Sequence, residues 1–280
     1  MPRLTVRVLE THDEFRQCER IQRSVWGMLG VSREVLQVTQ RYGGVVLGAF
    51  VGARMAGFLY AFLARRRGQL VHWSHMMAVE RACRDCGLGF QMKLKHRALA
   101  LEQGIKSIAW TYDPLQSRNA ALNLRRLGAQ VEEYLVDCYG HFPSRIERGL
   151  PSDRLVVNWR IATAAVARRL AAGPPVLRRL PWTWVNPTRL EARGFIVNQE
   201  IRLGLRDRRL RVEIPTQCDR LRACAPSLAR RWRFEIRQIL LHYLEAGYRV
   251  ETFLPPGPAT EGRAYYVLRA GPLEPIPHSD

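Results

Sequence analysis

Apolar and polar positions alternate from Leu4 to Leu9, with Leu4, Val6 and Val8 set against Thr5 and Arg7, the period of a half-buried strand. Thr11, followed three residues later by Glu14, forms a capping-box signature. Phe15, Cys18, Ile21, Gln22 and Val25 then recur at helical spacing up to a stop at Gly27. A second short helix is expected from Ser32, its cap, to Gln40. Two apolar runs, Val45–Val51 and Met55–Phe62, flank Gly52-Ala53-Arg54 and read as a buried hairpin. Gly43–Ala64 as a whole approaches the length of a membrane span. Arg54 in its middle would be costly in lipid, so no membrane segment is expected.

A strand is expected over Val71–Val79, then a loop Arg84-Asp85-Cys86-Gly87-Leu88-Gly89, then a helix that Gly104 ends. Phe90, Leu94, Ala98 and Leu101 mark that helix's apolar face, with Lys93, Lys95 and Arg97 elsewhere. Ile105–Tyr112 reads as a strand broken by Asp113-Pro114, Ser117–Leu127 as a helix stopped by Gly128, and Val131–Tyr139 and Arg154–Trp159 as closing strands. Strand, two helices, three strands, helix, strand, helix and two strands make an α/β layered domain over 1–160. A connector is expected over 161–185, with a short helix at Thr163–Ala172 and then Gly173-Pro174-Pro175.

Residues 186–280 read as a smaller α+β domain. Leu210–Ile214 is a strand, and Ser227–Ala246 an amphipathic helix with Leu228, Trp232, Ile236, Ile239, Leu240 and Tyr243 on one side and Arg230, Arg233 and Arg237 on the other. Gly247 stops it before strands at Tyr248–Phe253 and Ala264–Leu268. This helix–glycine–strand–strand unit repeats the end of the first domain in outline, as a degenerate half-repeat without a glycine loop.

Composition changes this picture little. With 47% hydrophobic residues, global disorder is excluded. The net charge of +19 invites an anionic partner, but the basic runs Arg65-Arg66-Arg67, Arg178-Arg179 and Arg206–Arg211 lack the interleaved aromatics of a base-stacking surface. That argues against nucleic acid. Six cysteines without a disulfide framework, and no secretory leader, lead us to expect a reduced, cytoplasmic protein.

Candidate chemistry concentrates in the glycine loop. Glycines let the backbone turn sharply and approach a bulky ligand, and the helix behind them aims unpaired amides at a phosphate seat. The spacing Arg84-x-x-Gly87-x-Gly89, between a fourth strand and a third helix, with Met77-Ala78-Val79 before it and a helix ending Leu127-Gly128-Ala129 after it, resembles the signature of the GNAT superfamily of acyl-CoA N-acyltransferases. The resemblance covers the first 160 or so residues, and the whole chain resembles a little-characterised bacterial group of two-part members. It implies a mixed, mostly antiparallel sheet flanked by helices. It implies that Arg84, Asp85, Cys86, Gly87, Leu88, Gly89 and Phe90 hold the pyrophosphate of acetyl-CoA or another short acyl-CoA, with Met77 and Val79 pairing with the pantetheine and Asn119 assisting. A primary amine, an amino acid among the candidates, would attack the thioester directly and take an acetyl or succinyl group.

The chain also departs from the family. Where most members carry a tyrosine that protonates the departing thiol, this one has Leu124, and the usual asparagine falls at Ser117. General acid–base help is worth ~10²–10⁴-fold, so its loss slows transfer without forbidding it. His75, with a natural base's pKa, and Asp113 are the leading candidates near the acceptor, with Tyr139 and Tyr112 as proton donors and His72 and Glu80 also in view. His72-x-x-His75 with Cys83-x-x-Cys86 offers four zinc-type ligands, but the gap is short and Cys86 lies inside the phosphate loop, so no metal is expected. Cys86 as a nucleophile is equally disfavoured. A binding module that senses acyl-CoA without turnover, and a basic nucleic-acid-binding protein, are the alternatives. A homodimer remains open.

Overall fold

In a computed structural model, the described residues are 3–140, 149–174, 182–191, 193–257, 260 and 262–271. They divide into two compact units. The first runs to Trp110 and takes in Arg160–Ala162; the second begins at Thr111. Arg178-Arg179 and Pro175 lie outside the described residues.

The first unit holds β1 (Leu4–Val8), α1 (His12–Trp26), α2 (Arg33–Arg41), β2 (Val45–Val51), β3 (Arg54–Arg66), β4 (Gln69–Val79), α3 (Leu88–Glu102) and the start of β5 (Ile108–Tyr112). Its strands lie in the order β1-β2-β3-β4-β5, antiparallel except for β4 and β5. Helix α1 begins with the expected box: Thr11 Oγ1 accepts from Glu14 N–H, and the Glu14 carboxylate accepts from Thr11 N–H. The Arg7 guanidinium, hydrogen-bonded to that carboxylate, and two backbone N–H groups hold it down to about 2 against the cost of burial. Gly52-Ala53 turns β2 into β3 as the hairpin pattern required. Among the described residues no helix is long and apolar enough to cross a membrane.

Two apolar layers sandwich this sheet. Phe15, Cys18, Ile21 and Leu36 of α1 and α2 pack with Val46, Phe58 and Tyr60 on one face. Leu88 and Met92 of α3 pack with Leu47, Ala49 and Leu59 on the other. The face that α3 buries differs from the expected one. It is Leu88, Met92, Lys93, His96 and Ala100, whereas Phe90 and Leu94 are half-buried and Ala98 is exposed. Two polar residues stand in the core stripe, so a search for apolar periodicity settles on the wrong face.

In the second unit, β5 is followed in sheet order by β7 (Arg154–Trp159) and β6 (Gln130–Leu135). Strand β6 stops before Tyr139 because the chain turns at Asp137, whose φ of 46° is left-handed and whose carboxylate accepts from Ser152 N–H at 2.8 Å. Helix α4 is a single α turn, Ser117–Ala120, that widens into π turns over Ala121–Arg126 before Gly128 ends it. After α5 (Ala164–Ala172) and β8 (Thr183–Trp184), β9 (Thr188–Leu190) pairs with β10 (Ile196–Asn198). Then come β11 (Arg209–Pro215), α6 (Cys218–Cys224), α7 (Pro226–Glu245), β12 (Tyr248–Leu254) and β13 (Arg263–Ala270), with the sheet ordered β12-β13-β11-β8. The α7–Gly247–β12–β13 unit forms as expected, but Arg233 lies in its core rather than on the solvated face.

Candidate functional site

The first unit builds its site at the end of β4. Glu80 fixes the strand's exit: its N–H donates to Ala56 O at 2.8 Å, and its carboxylate pairs with Arg20 at 2.6 Å and Arg54 at 2.8 Å. A single 3₁₀ turn over Arg81–Cys83 follows. Arg84 folds back so that its Nε donates to Val79 O at 3.3 Å. Asp85 and Gly87 both take left-handed backbone, φ 65° and 86°, which swings the chain into α3. Gly87 is the N-cap and offers no side chain to the first-turn amides, and no acidic residue lies in that turn. The helix dipole makes this end of α3 positive. Cys86 Sγ donates to Cys83 O at 2.6 Å, a local turn contact.

Upstream, β4 carries an extra residue. Tyr60 pairs with Met76 and Ala61 with Ser74, so His75 is the bulge. His75 and Met76 consequently share the α1–α2 face, while Met77 packs with the α3 layer. The His75 ring is exposed on one side and sits 6.0 and 5.8 Å from the Tyr60 and Phe62 ring centroids on the other. Desolvation by these neighbours lowers its pKa, so the ring is a neutral proton acceptor near pH 7. Strand β4 pairs with β5 only at His72↔Ile108 and Trp73↔Ala109 among the described residues. Past that point the β4–β5 ladder is open, and Met77 and Val79 lie beyond it on β4.

Beneath that opening lies a buried polar line that the sequence pattern did not single out. Lys93 of α3 is 2% exposed, donates to Ser74 Oγ at 3.0 Å, and stands 3.5 Å from the Trp110 ring centroid. Burial pulls its pKa from 10.5 to about 7. One turn on, His96 stacks on His72, 3.0 Å between Nε2 and Nδ1. Burial, and then the charges of Lys93 and His72, hold His96 well below the ordinary histidine value. The only available signal was that Leu88, Met92 and Ala100 fall on one helical face if Lys93 and His96 are admitted between them. His72 is thus engaged with His96.

The second unit places the other expected residues. Asp113 is not an available base: its carboxylate is hydrogen-bonded to Arg222 and lies 2.8 Å from Arg233, all three buried. Burial alone would raise its pKa; the Arg233 and Arg222 charges outweigh that and hold it below the usual carboxylate range. Tyr139 is exposed, and its hydroxyl shares a 3.0 Å hydrogen bond with Thr111 Oγ1. Tyr112 is buried beside Tyr266, and burial pushes its hydroxyl pKa up. Asn119 stands on the exposed side of α4, and Leu124 is buried in the π turns.

No family model matches the chain, and no curated protein does. Solved structures do resemble it. The ribosomal-protein-S18-alanine N-acetyltransferase from Escherichia coli is 15% identical, with TM-score 0.47 over 58% of this chain and 96% of that one. An N-acyl amino acid synthase from uncultured soil microbes is 13% identical, with TM-score 0.44 over 57% of this chain and 92% of that one. An acetyltransferase of the GNAT family from Streptococcus pneumoniae is 18% identical, with TM-score 0.43 over 56% of this chain and 98% of that one.

Proposed function

We propose that this chain is a GNAT-type acyl-CoA-dependent N-acyltransferase, moving an acetyl or succinyl group to a primary amine, an amino acid among the candidates. The observation that carries the reading is the glycine-capped, acid-free N-terminus of α3, set directly after a bulged strand whose far edge is open. Backbone amides of Cys86, Gly87, Leu88 and Gly89 take the pyrophosphate oxygens, with Asp85 and Phe90 flanking them and Arg84 adding charge. The pantetheine lies along Met77 and Val79 as an extra strand. The amine attacks the thioester carbonyl, an N–C bond forms, and the C–S bond breaks toward sulfur. Neutral His75 at the bulge accepts the proton that the nitrogen sheds. Asp113, held by two arginines, transfers no proton in this scheme, and the chemistry asks for no metal.

The division into 1–160, 161–185 and 186–280 belongs to this proposal, with acyl-CoA bound by the first part. So does a cytoplasmic setting, in keeping with six free thiols. Isothermal titration with acetyl-CoA tests the reading: saturable heat at submillimolar cofactor is expected, and its absence overturns it. Leu124, where the family's acid stands, favours one second reading, a sensor of acyl-CoA without turnover. Rapid thiol release from acetyl-CoA with a member of an amine panel excludes the sensor.

A further inference from the structure

The transfer reaction leaves a thiolate, and the family's proton donor is absent at Leu124. The first unit has a group of the right chemistry elsewhere. Lys93 reaches from α3 to Ser74, the residue just after the last β4–β5 pair, and covers the ring of Trp110, the β5 residue at the same level. Ser74 precedes the bulged His75 by one position, so its hydroxyl lies on the α3 face of the strand where the open edge begins. Resting on the acyltransferase reading, we infer that Ser74 and Lys93 form a proton relay to the departing thiolate, in place of the missing tyrosine.

The step balances. As the C–S bond breaks, its electron pair goes to sulfur. The Ser74 O–H gives its proton to that sulfur and takes one from the Lys93 ammonium, leaving a neutral amine. The proton shed by the attacking nitrogen passes to His75 and from there through solvent restores the ammonium, so amine and thioester become amide and thiol. Ser74 touches the substrate; Lys93 acts through it. The groups facing Lys93 are Ser74 from β4, Trp110 from β5 and His96 from its own helix, which in turn stacks on His72 of β4. Among the described residues no carboxylate pairs with it. The Trp110 face favours the charged form and burial opposes it. The outcome, about 7, lets the ammonium exist at neutral pH and still give up its proton.

The test is kcat against pH from 6 to 9 for the full chain with acetyl-CoA and an accepted amine. Wild type should lose kcat as pH rises through about 7. Lys93→Met, close in shape to a neutral lysine, and Ser74→Ala, which removes one hydroxyl, should each lower kcat by ~10²-fold and abolish that descending limb, leaving KM for acetyl-CoA unchanged. Lys93→Arg, always charged, should also lose the limb. Either Lys93→Met or Ser74→Ala with wild-type kcat and profile overturns the relay alone. Failure of the wild type to bind acetyl-CoA overturns the acyltransferase reading and the relay with it.

Discussion

Lys93 also makes a prediction independent of any activity. A buried lysine whose pKa falls from 10.5 to about 7 is a cost to folding. Between those values the unfolded chain binds a proton that the folded chain does not. Unfolding free energy therefore rises with pH across that window, and the penalty is fully present below it. At about 1.36 kcal/mol per pH unit, the full penalty is about 5 kcal/mol. It is about 4 kcal/mol at pH 7 and about 2 kcal/mol at pH 9, and it vanishes above the ordinary lysine value. Lys93→Met removes this dependence. It also leaves the Ser74 hydroxyl unpaired, at about 1–3 kcal/mol, but that offset does not vary with pH. The slope therefore isolates the charge effect. Urea unfolding of both proteins at pH 7, 8 and 9, followed by circular dichroism and tryptophan fluorescence, should show the advantage of Lys93→Met shrinking by about 2 kcal/mol over the range. His96 and His72, both lowered by burial, are neutral throughout it and do not contribute. Parallel stability curves, equal in slope to within about 0.5 kcal/mol, would refute a depressed lysine.

Gly87→Ala meets no neighbour within 4 Å, yet must hold φ 86°, so it should cost about 1–2 kcal/mol in a melt and weaken acetyl-CoA binding by titration calorimetry. Asp113→Asn removes the buried carboxylate that Arg222 and Arg233 share and should cost about 3–5 kcal/mol in urea unfolding; a loss under about 1 kcal/mol would refute that contribution. Because Asp113 is held below its usual range, its contribution is present above about pH 4 and lost as pH falls further, so Asp113→Asn should flatten that part of the acid unfolding curve. Glu80→Gln breaks two ion pairs at the exit of β4 and should raise KM for acetyl-CoA more than it lowers kcat; the reverse split would place Glu80 in the chemistry.

How much of this was legible depended on whether the deciding interaction was local. The α1 capping box and the Gly52-Ala53 hairpin each rest on residues within a few positions of one another, and pattern alone placed them; the loop expected to run to Gly89 ends sooner, with Gly87 as cap and α3 beginning at Leu88. Asp113 fails that condition. Its partners Arg222 and Arg233 lie 109 and 120 residues away, so a residue that reads as a candidate group near the acceptor is a buried counter-ion. The π turns of Ala121–Arg126 carry no mark in a stretch whose apolar spacing fits an ordinary helix.

The misread face of α3 and the misplaced Arg233 of α7 share one cause. An apolar stripe was sought where each helix buries charge: Lys93 in one, Arg233 in the other. The two burials differ in physical kind. Arg233 cannot lose its proton and is kept with a carboxylate, whose charge raises its pKa despite burial. Lys93 has no such partner among the described residues and can shed its charge instead. A paired arginine fixes a core, whereas an unpaired lysine at the end of a split ladder remains able to exchange a proton near neutral pH. At neutral pH the burial of that lysine costs the fold more than its bond to Ser74 returns. Its position beside Ser74, one step before the bulge, is what sets it apart from a packing residue.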